Sequence, residues 1–174
     1  MAYPVIIDDI FTPQDVLLLR KMLADKELIN DEFYDNNTKR TMITNNEVTR
    51  VFGEKLKPHV QKIFEDKTAT VALCFYCIYD DPDSYLPEHK DKNACEYNVS
   101  YILKQEKPWS FKIRGKDYYG QENSGIFYSG TKDFHSRDKM GPTGNDKVEM
   151  IFFHFIPEDH WYINHCEDVY PKTN

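Results

Sequence analysis

The sequence of 174 residues lacks the long apolar runs that membrane-spanning helices and secretory signal peptides require. It is also poor in glycine, with seven residues, and it contains no internal repeat, linker or low-complexity segment. A chain of this length can bury one good hydrophobic core and seldom two. We therefore expect a single globular domain over residues 1–174, without a membrane segment, in the cytoplasm or an equivalent reducing space.

The chain has fewer basic than acidic residues: 22 lysines and arginines against 29 aspartates and glutamates, which gives a net charge of −7. Broad, sequence-independent binding to nucleic acid needs clustered cations that neutralise phosphates. The charge balance therefore argues against a general nucleic-acid-binding protein, although it is compatible with a local basic groove.

Cysteine is also scarce, and the four residues are Cys74, Cys77, Cys95 and Cys166. Cys74 and Cys77 lie in an apolar run over residues 71–79 that is typical of a buried strand. Residues i and i+3 of a strand face opposite sides, so one metal ion could not easily bind both thiols. We therefore expect buried free thiols rather than a structural zinc site or a disulfide.

The first part of the chain, about residues 1–66, carries the signals of helices. Thr12 is a candidate N-cap, because a proline follows it at a position that suits the first turn of a helix. A second helix is expected over about residues 47–65, where apolar residues recur at helical spacing and Pro58 should kink or split it. The polar segment of residues 30–46 between the two helices is expected to form turns.

From about residue 70 to residue 157 the sequence alternates between strands and turns. Five strands rich in aromatic and β-branched residues are predicted at residues 71–79, 96–103, 109–114, 125–128 and 148–155. Helices come first and strands follow, which is the order of an α+β domain whose helices pack on an antiparallel sandwich.

The candidate site begins at His89-Lys90-Asp91 and is completed by His135, in the run of residues 128–137. On a strand, residues i and i+2 point the same way, so His89 and Asp91 can share a metal ion while Lys90 turns outward. Two imidazoles and one carboxylate can bind one face of a divalent iron ion and leave the other positions open for substrate and dioxygen.

The order of these features resembles the prolyl-hydroxylase-like branch of the iron(II)- and 2-oxoglutarate-dependent oxygenases. The resemblance spans nearly the whole chain and is carried by the Asp-Asp-x-Phe-Thr-Pro helix start, the long second helix, Tyr79, His89-x-Asp91, the Trp109 strand, Phe127-Tyr-x-Gly130, His135-x-Arg137 and the final strand Ile-Phe-Phe-His-Phe155. It implies a double-stranded β-helix, or jelly roll, over about residues 70–157, with N-terminal helices that buttress one sheet.

In this family the His-x-Asp motif and the distal histidine hold the iron. The resemblance therefore implies that His89, Asp91 and His135 are the metal ligands and form the catalytic centre. The implied activity is that of a dioxygenase, a hydroxylase that uses Fe(II), 2-oxoglutarate as cosubstrate and dioxygen. The substrate is left open: protein side chains such as proline, free amino acids, other small molecules and nucleobases are all compatible.

The resemblance also implies a cation that pairs with the far carboxylate of 2-oxoglutarate, and here the chain departs from the family pattern. Members usually place an arginine or lysine at the start of the strand after the distal histidine, but at that spacing this chain has Asn145. An insertion in the preceding loop would bring Lys147 to that place, so Lys147 is the first candidate. Arg137, two residues after His135, competes with it, because a guanidinium binds a carboxylate bidentately. Lys112 is a third candidate.

Two tyrosines resemble those that line the 2-oxoglutarate pocket of the family: Tyr79, before the metal motif, and Tyr101, on the strand that follows it. A buried tyrosine needs a partner for its hydroxyl, and a carboxylate would serve, while core packing is the competing explanation for both residues. Strand alternation separates His154 from Lys147, and we therefore expect His154 to pack against the helices rather than to line the pocket.

Two other classes of protein are compatible with the same residues. A cupin-like metalloprotein, such as an isomerase or a zinc hydrolase, would bind a metal ion at the same triad without responding to 2-oxoglutarate. A binding or structural module could retain the fold with a silent site, since a fold alone does not dictate function. The intact triad argues against this second alternative.

Overall fold

The computed structural model describes residues 3–29, 32–44 and 47–161 of the chain. These residues form two helices, α1 (Pro13–Leu23) and α2 (Glu47–Ile63), and a short 3-10 turn at Gly141–Thr143. The strands are, in chain order, β1 (Val5–Ile7), β2 (Glu32–Asp35), β3 (Arg40–Thr44), β4 (Thr70–Tyr79), β5 (Leu86–His89), β6 (Tyr97–Lys104), β7 (Phe111–Ile113), β8 (Lys116–Tyr118), β9 (Gly125–Ser129), β10 (His135–Arg137) and β11 (Val148–Ile156). All the strands pair in antiparallel fashion.

The two helices begin where the sequence predicts. Thr12 is the N-cap of α1, and its hydroxyl oxygen accepts a hydrogen bond of 3.1 Å from the backbone N–H of Asp15. Pro58 was predicted to kink or split α2; the helix runs through the proline without a split. The buried side chains of Leu56 and Val60 on either side of the proline anchor both halves to the same core, which offsets the lost backbone hydrogen bond. None of the helices described is long and apolar enough to cross a membrane.

The strands form a large sheet of seven strands, in the order β1-β9-β6-β11-β4-β3-β2, and a small sheet of four, in the order β5-β10-β7-β8. Strand β11 lies near the middle of the large sheet, where it pairs with β4 on one side and β6 on the other. The last strand of the described residues therefore holds together strands that come earlier in the sequence.

The segment between the helices forms a hairpin rather than the turns expected from its polar sequence. Strands β2 and β3 pair from Asp35 opposite Arg40 onward, and β3 pairs with β4 at the edge of the large sheet. The carboxylate of Asp35 closes the hairpin, because it accepts hydrogen bonds from the backbone N–H of Asn37 and the hydroxyl of Thr38. Pairing with β4, which lies far away in the sequence, makes this polar segment a strand.

The two faces of the large sheet pack against different layers, as alternate residues of β11 show. Ile151 and Phe153 pack with the helices in what we call the helix layer. Val148, Met150 and Phe152 pack with residues of the small sheet in what we call the inter-sheet layer. The candidate site lies at the inter-sheet layer, so the side on which a β11 residue points decides whether it can reach that site.

Burial without a disulfide is confirmed for the three cysteines that the structure describes. Cys74, Cys77 and Cys95 are buried free thiols. Cys74 belongs to the helix layer and Cys77 to the inter-sheet layer, as strand alternation requires. Cys166 lies outside the described residues.

We expect the helix layer to carry much of the stability. Phe153 is completely buried, so Phe153→Ala should leave a cavity and lower the free energy of unfolding by about 3–5 kcal/mol, as measured by urea denaturation. The control is Leu17→Ala in α1, whose side chain is 71% exposed and which should change the same quantity by less than about 0.5 kcal/mol. A similar small change for Phe153→Ala would contradict this description of the core.

Candidate metal centre

Pairing within the small sheet brings the two histidines of the candidate site together. His89 is the last residue of β5 and His135 is the first residue of β10, and the two stand directly opposite each other in the antiparallel ladder. Their ring centroids are 4.3 Å apart. Strand β7 pairs with the other side of β10, so His135 is held from both sides.

Asp91 reaches the same point by a different route from the one expected. Strand β5 ends at His89, so His89 and Asp91 do not share one face of a strand. Instead the backbone N–H of Asp91 donates a hydrogen bond of 2.9 Å to the carbonyl of Gly130. The Oδ1 atom of Asp91 then lies 3.3 Å from Nε2 of His89 and 3.5 Å from Nε2 of His135. The three ligand atoms all lie within 4.8 Å of one another.

Backbone carbonyls determine which nitrogen of each histidine faces the shared space. Nδ1 of His89 lies 2.7 Å from the carbonyl oxygen of Pro87, and Nδ1 of His135 lies 2.9 Å from that of Asp133. A carbonyl oxygen can only accept, so each Nδ1 carries a hydrogen and each Nε2 is the nitrogen left to face Asp91 and the shared space. This is the orientation in which histidine binds metals, with the second nitrogen held by a backbone partner.

The electrostatics of the trio favour an ionised carboxylate. Burial alone would raise the pKa of Asp91, but hydrogen bonds to His135 and His89 outweigh burial and hold this pKa well below its usual range. The hydrogen bond to Asp91 raises the pKa of His89, against the effect of burial. The hydrogen bonds that Asp91 accepts therefore favour its charged form.

The surroundings of the trio are closed on one side and open on the other. His135 is buried, and the rings of Tyr128 and Phe111 lie against it with centroids 4.8 and 5.6 Å away. The side chain of His89 is 35% exposed. A substrate could therefore approach from the side of His89.

A second row of polar side chains lies behind Asp91. The side-chain amide of Asn98 donates a hydrogen bond to Oδ2 of Asp91, and Nδ1 of His154 lies 2.7 Å from Oδ1 of Asn98. His154 therefore faces the candidate site, which corrects the expectation that it packs against the helices. The alternation along β11 was right, but its two faces were assigned the wrong way round. Burial lowers the pKa of His154 to about 4, so its imidazole is neutral at pH 7.

Because the two faces of β11 are the reverse of those expected, Lys147 lies away from the site. Its ammonium group pairs with the carboxylate of Glu149 at 2.8 Å, and Glu149 accepts a hydrogen bond from the hydroxyl of Tyr76. Lys147 and Glu149 line a cavity of about 510 Å³ that also contacts Leu23 of α1, on the helix side of the large sheet. The structure therefore does not bring Lys147 to the histidines. Lys112, the third candidate, pairs with Asp138 near the surface.

Of the three candidate anchors, Arg137 is the one that the fold brings to the inter-sheet layer. It is 1% exposed, and its guanidinium lies over the rings of Trp109 and Phe111 at 5.1 and 4.6 Å from their centroids. It donates hydrogen bonds to the carbonyls of Trp109 and Ser110 and to the hydroxyl of Ser100. Among the described residues it has no carboxylate partner, and its Nε is buried without a hydrogen-bond acceptor. Burial lowers its pKa to about 10, so it stays cationic at pH 7.

The two predicted tyrosines lie on opposite faces of the large sheet. Tyr79 is buried in the inter-sheet layer, where its ring packs edge-on against Trp109. Tyr101 belongs to the helix layer: its ring contacts Phe11, and its hydroxyl donates to Asn123 at 3.2 Å. Core packing therefore accounts for Tyr101, and the structure does not bring it to the metal trio.

One residue of the site escaped the analysis of the sequence. Arg40, on β3, donates a hydrogen bond of 2.8 Å to the hydroxyl of Tyr79 and lies over the ring of Phe152. Its nearest carboxylate among the described residues is Asp35, 4.0 Å away. The segment around it was expected to form turns, so no strand alternation was available to place Arg40 beside Tyr79.

Comparison with protein-family models gives no match, and neither does comparison with curated protein sequences. Solved structures do match. The non-heme alpha-ketoglutarate-dependent epimerase SnoN from nogalamycin biosynthesis is 9% identical over 98% of this chain and 85% of its own, with a TM-score of 0.69. HygX from Streptomyces hygroscopicus, solved with nickel, 2-oxoglutarate and hygromycin B bound, is 11% identical over 89% and 83%, with a TM-score of 0.68. A prolyl-4-hydroxylase from Pseudomonas putida is 9% identical over 88% and 91%, with a TM-score of 0.61. At these identities the likeness shows a shared fold.

Gly130 leaves no room for a side chain beside the carboxylate of Asp91. A Cβ atom there would lie 2.5 Å from Oδ2 of Asp91 and closer still to Nδ2 of Asn98 and the carbonyl oxygen of Cys95. We expect Gly130→Ala to displace Asp91 and to lower the affinity for cobalt(II), measured by calorimetric titration, at least about tenfold. Gly53→Ala in α2, where the added methyl would face the helix layer, should leave this affinity unchanged. Equal affinities in the two variants would argue against this position for Asp91.

Proposed function

We propose that the protein is an iron(II)- and 2-oxoglutarate-dependent dioxygenase that hydroxylates a C–H bond of its substrate. We also propose that the chain forms one domain, a double-stranded β-helix whose large sheet is buttressed by α1 and α2. The single observation that carries the functional proposal is Arg137, a buried cation without an anionic partner in the described chain, in the same layer as three convergent metal-ligating side chains.

The ligand set fits iron(II). Two neutral imidazoles and one carboxylate are the donors of the facial triad of non-heme iron oxygenases, and they leave open positions on the metal. The Nε2 atoms of His89 and His135 and Oδ1 of Asp91 point into one space, and the Nδ1 atoms are already engaged with the backbone. These three residues would hold the metal without a change in their hydrogen bonds to the backbone.

Arg137 fits the far carboxylate of 2-oxoglutarate. A buried guanidinium without a counter-ion is costly, and a carboxylate that enters the inter-sheet layer would neutralise it. Its guanidinium and the ring of His135 contact the same phenylalanine, Phe111, so the cation lies close to the metal ligands. We therefore assign the anchoring role to Arg137 in place of Lys147, and Tyr79 lies on the same face as a further lining residue.

The chain's own residues bind, orient and exclude water. When bound, iron(II) and 2-oxoglutarate supply, with dioxygen, the oxidation of a C–H bond, and 2-oxoglutarate leaves as succinate and carbon dioxide. Arg137 would fix one end of the cosubstrate, so that its other end faces the ligands. The buried rings of Phe111, Tyr128 and Trp109 would exclude water from the inner side of the site.

The substrate is proposed to be a small molecule or a peptide side chain that enters beside His89. Structures with this fold include SnoN, an epimerase, HygX, solved with hygromycin B, and a prolyl-4-hydroxylase. At the exposed rim Phe134 is half exposed and the ammonium group of Lys90 lies 4.7 Å from its ring centroid, which offers an aromatic and cationic contact surface. Transfer of one oxygen atom from labelled dioxygen to the product would identify a hydroxylase, whereas a product without the label would favour epimerisation.

The metal assignment predicts a specific loss of iron binding. His135→Ala should abolish binding of iron(II) under anaerobic conditions and, with it, the weak visible charge-transfer band expected when 2-oxoglutarate is added. His59→Ala is the matched control, because His59 is an exposed histidine on α2 and its loss should change neither signal. If His135→Ala retains the iron stoichiometry of the wild type, the metal assignment is wrong. Iron binding without any response to 2-oxoglutarate would favour the cupin-like alternative.

The anchor assignment predicts a separate effect on the cosubstrate. Arg137→Met should raise the concentration of 2-oxoglutarate needed for half of the charge-transfer signal by about 30-fold or more, which corresponds to the roughly 2–4 kcal/mol lost when one partner of a buried charge pair is removed. Iron(II) affinity should change little, because Arg137 is not a ligand. Lys147→Ala should leave both quantities unchanged, and the reverse pattern in these two variants would restore Lys147 as the anchor.

A further inference from the structure

The two oxygens of Asp91 have different neighbours. Oδ1 faces Nε2 of both histidines, whereas Oδ2 accepts a hydrogen bond from the side-chain amide of Asn98. A carboxylate in an open site can rotate about its Cβ–Cγ bond and can bind a metal through one oxygen or both. Here one oxygen is engaged on the side away from the histidines.

The hydrogen bonds behind Asp91 have only one consistent direction. A carboxylate accepts, so Nδ2 of Asn98 must donate to Asp91, which leaves Oδ1 of Asn98 as an acceptor. Nδ1 of His154, 2.7 Å from that oxygen, must then carry the hydrogen. The row runs from His154 through Asn98 to Asp91, and each donor points toward the carboxylate.

The row is buried and tightly enclosed. Asn98 and His154 are 1% and 3% exposed, and they stand opposite each other on the neighbouring strands β6 and β11. Gly130 closes the space beside Nδ2 of Asn98, as the clash of an added Cβ shows. The side chain of Asn98 therefore has little room to rotate, and the carboxylate of Asp91 that it holds is restrained as well.

We propose that Asn98 and His154 are positioning residues that hold Asp91 so that only its Oδ1 faces the metal ion. The proposal rests on the proposed metal centre and deepens it, because a carboxylate that binds through one oxygen keeps a coordination position open for cosubstrate or dioxygen. Partners behind metal ligands orient those ligands and tune their affinity. Asn98 acts on Asp91 directly, and His154 acts through Asn98.

The first test needs no metal. In the metal-free protein, two-bond proton–nitrogen NMR spectra distinguish an imidazole protonated at Nδ1 from one protonated at Nε2. We expect the Nδ1–H form for His154, and we expect that preference to be lost in Asn98→Leu, which removes the acceptor. An Nε2–H form of His154 in the wild type would overturn the direction of the row.

The second test uses cobalt(II) alone as the probe. Asn98→Leu should lower the cobalt(II) affinity about 10- to 100-fold, and His154→Leu should lower it by less, because its effect passes through Asn98. His154→Asn should restore most of the affinity, since its amide can donate from nearly the same place as Nδ1. The cobalt absorption spectrum should change in both leucine variants and recover in His154→Asn, because a rotated Asp91 alters the coordination geometry.

A buried residue on the same strand provides the control. Phe153→Leu lies next to His154 on β11 but faces the helix layer, so it should lower stability and leave cobalt(II) affinity and spectrum unchanged. Leucine variants of Asn98 and His154 that bind cobalt(II) as the wild type does, with the same spectrum, would overturn the proposal.

Two further outcomes separate this proposal from others. The possible ligand atoms of Asp91, Cys95 and His154 also lie within 4.8 Å of one another, close enough to hold a metal ion. Two cobalt ions per chain in the wild type, with one lost in His154→Leu, would make His154 a ligand and overturn the positioning role. If cobalt(II) binds and responds to Asn98→Leu as expected but 2-oxoglutarate has no effect, the positioning role stands and the dioxygenase proposal alone fails.

Discussion

The antiparallel pairing of β5 with β10 is the interaction on which the candidate site depends. It places His89 opposite His135, two residues separated by about half of the strand-rich part of the chain, and it leaves the end of β5 free to turn toward Gly130. Everything else at the site follows from that pairing. Asp91 meets the histidines because the chain turns there, and Arg137 is buried because β10 continues inward from His135.

The candidate site holds a partly buried anion and a buried cation that are not partners of each other. Asp91 is an anion that two histidines and an asparagine surround, and Arg137 is a cation that carbonyls, a hydroxyl and two aromatic rings surround. Each arrangement leaves a charge incompletely compensated in a region of low dielectric. A divalent metal ion at the first and a carboxylate at the second would complete both. This is the physical basis for proposing a site for a metal ion and a dicarboxylate together.

Strand alternation predicted which residues of β11 share a face, but it did not predict which face lines the site. Lys147 and Glu149 were correctly grouped, and His154 was correctly separated from them, yet His154 is the one that faces Asp91. Alternation with a period of two residues separates the two faces of a strand but does not show which face lines the site. Both faces of a central strand are apolar when helices cover one and a second sheet covers the other. The same ambiguity applies to Tyr79 and Tyr101. Both were expected to line the pocket, but they lie on opposite faces of the large sheet.

The local features could be predicted from the sequence: the Thr12 cap, the starts of both helices, the long strands and the residue types of the metal trio. These depend on spacing, capping chemistry and apolar periodicity, which operate over a few residues. The hairpin of β2 and β3, the burial of Arg137 without a carboxylate, the place of Arg40 and the row from His154 to Asp91 appear only in the folded structure. Each depends on a contact between residues far apart in the chain: β3 pairs with β4, Arg40 bonds Tyr79, Arg137 bonds Trp109 and His154 lies beside Asn98. Such contacts form only when distant strands come together, so local sequence patterns do not predict them.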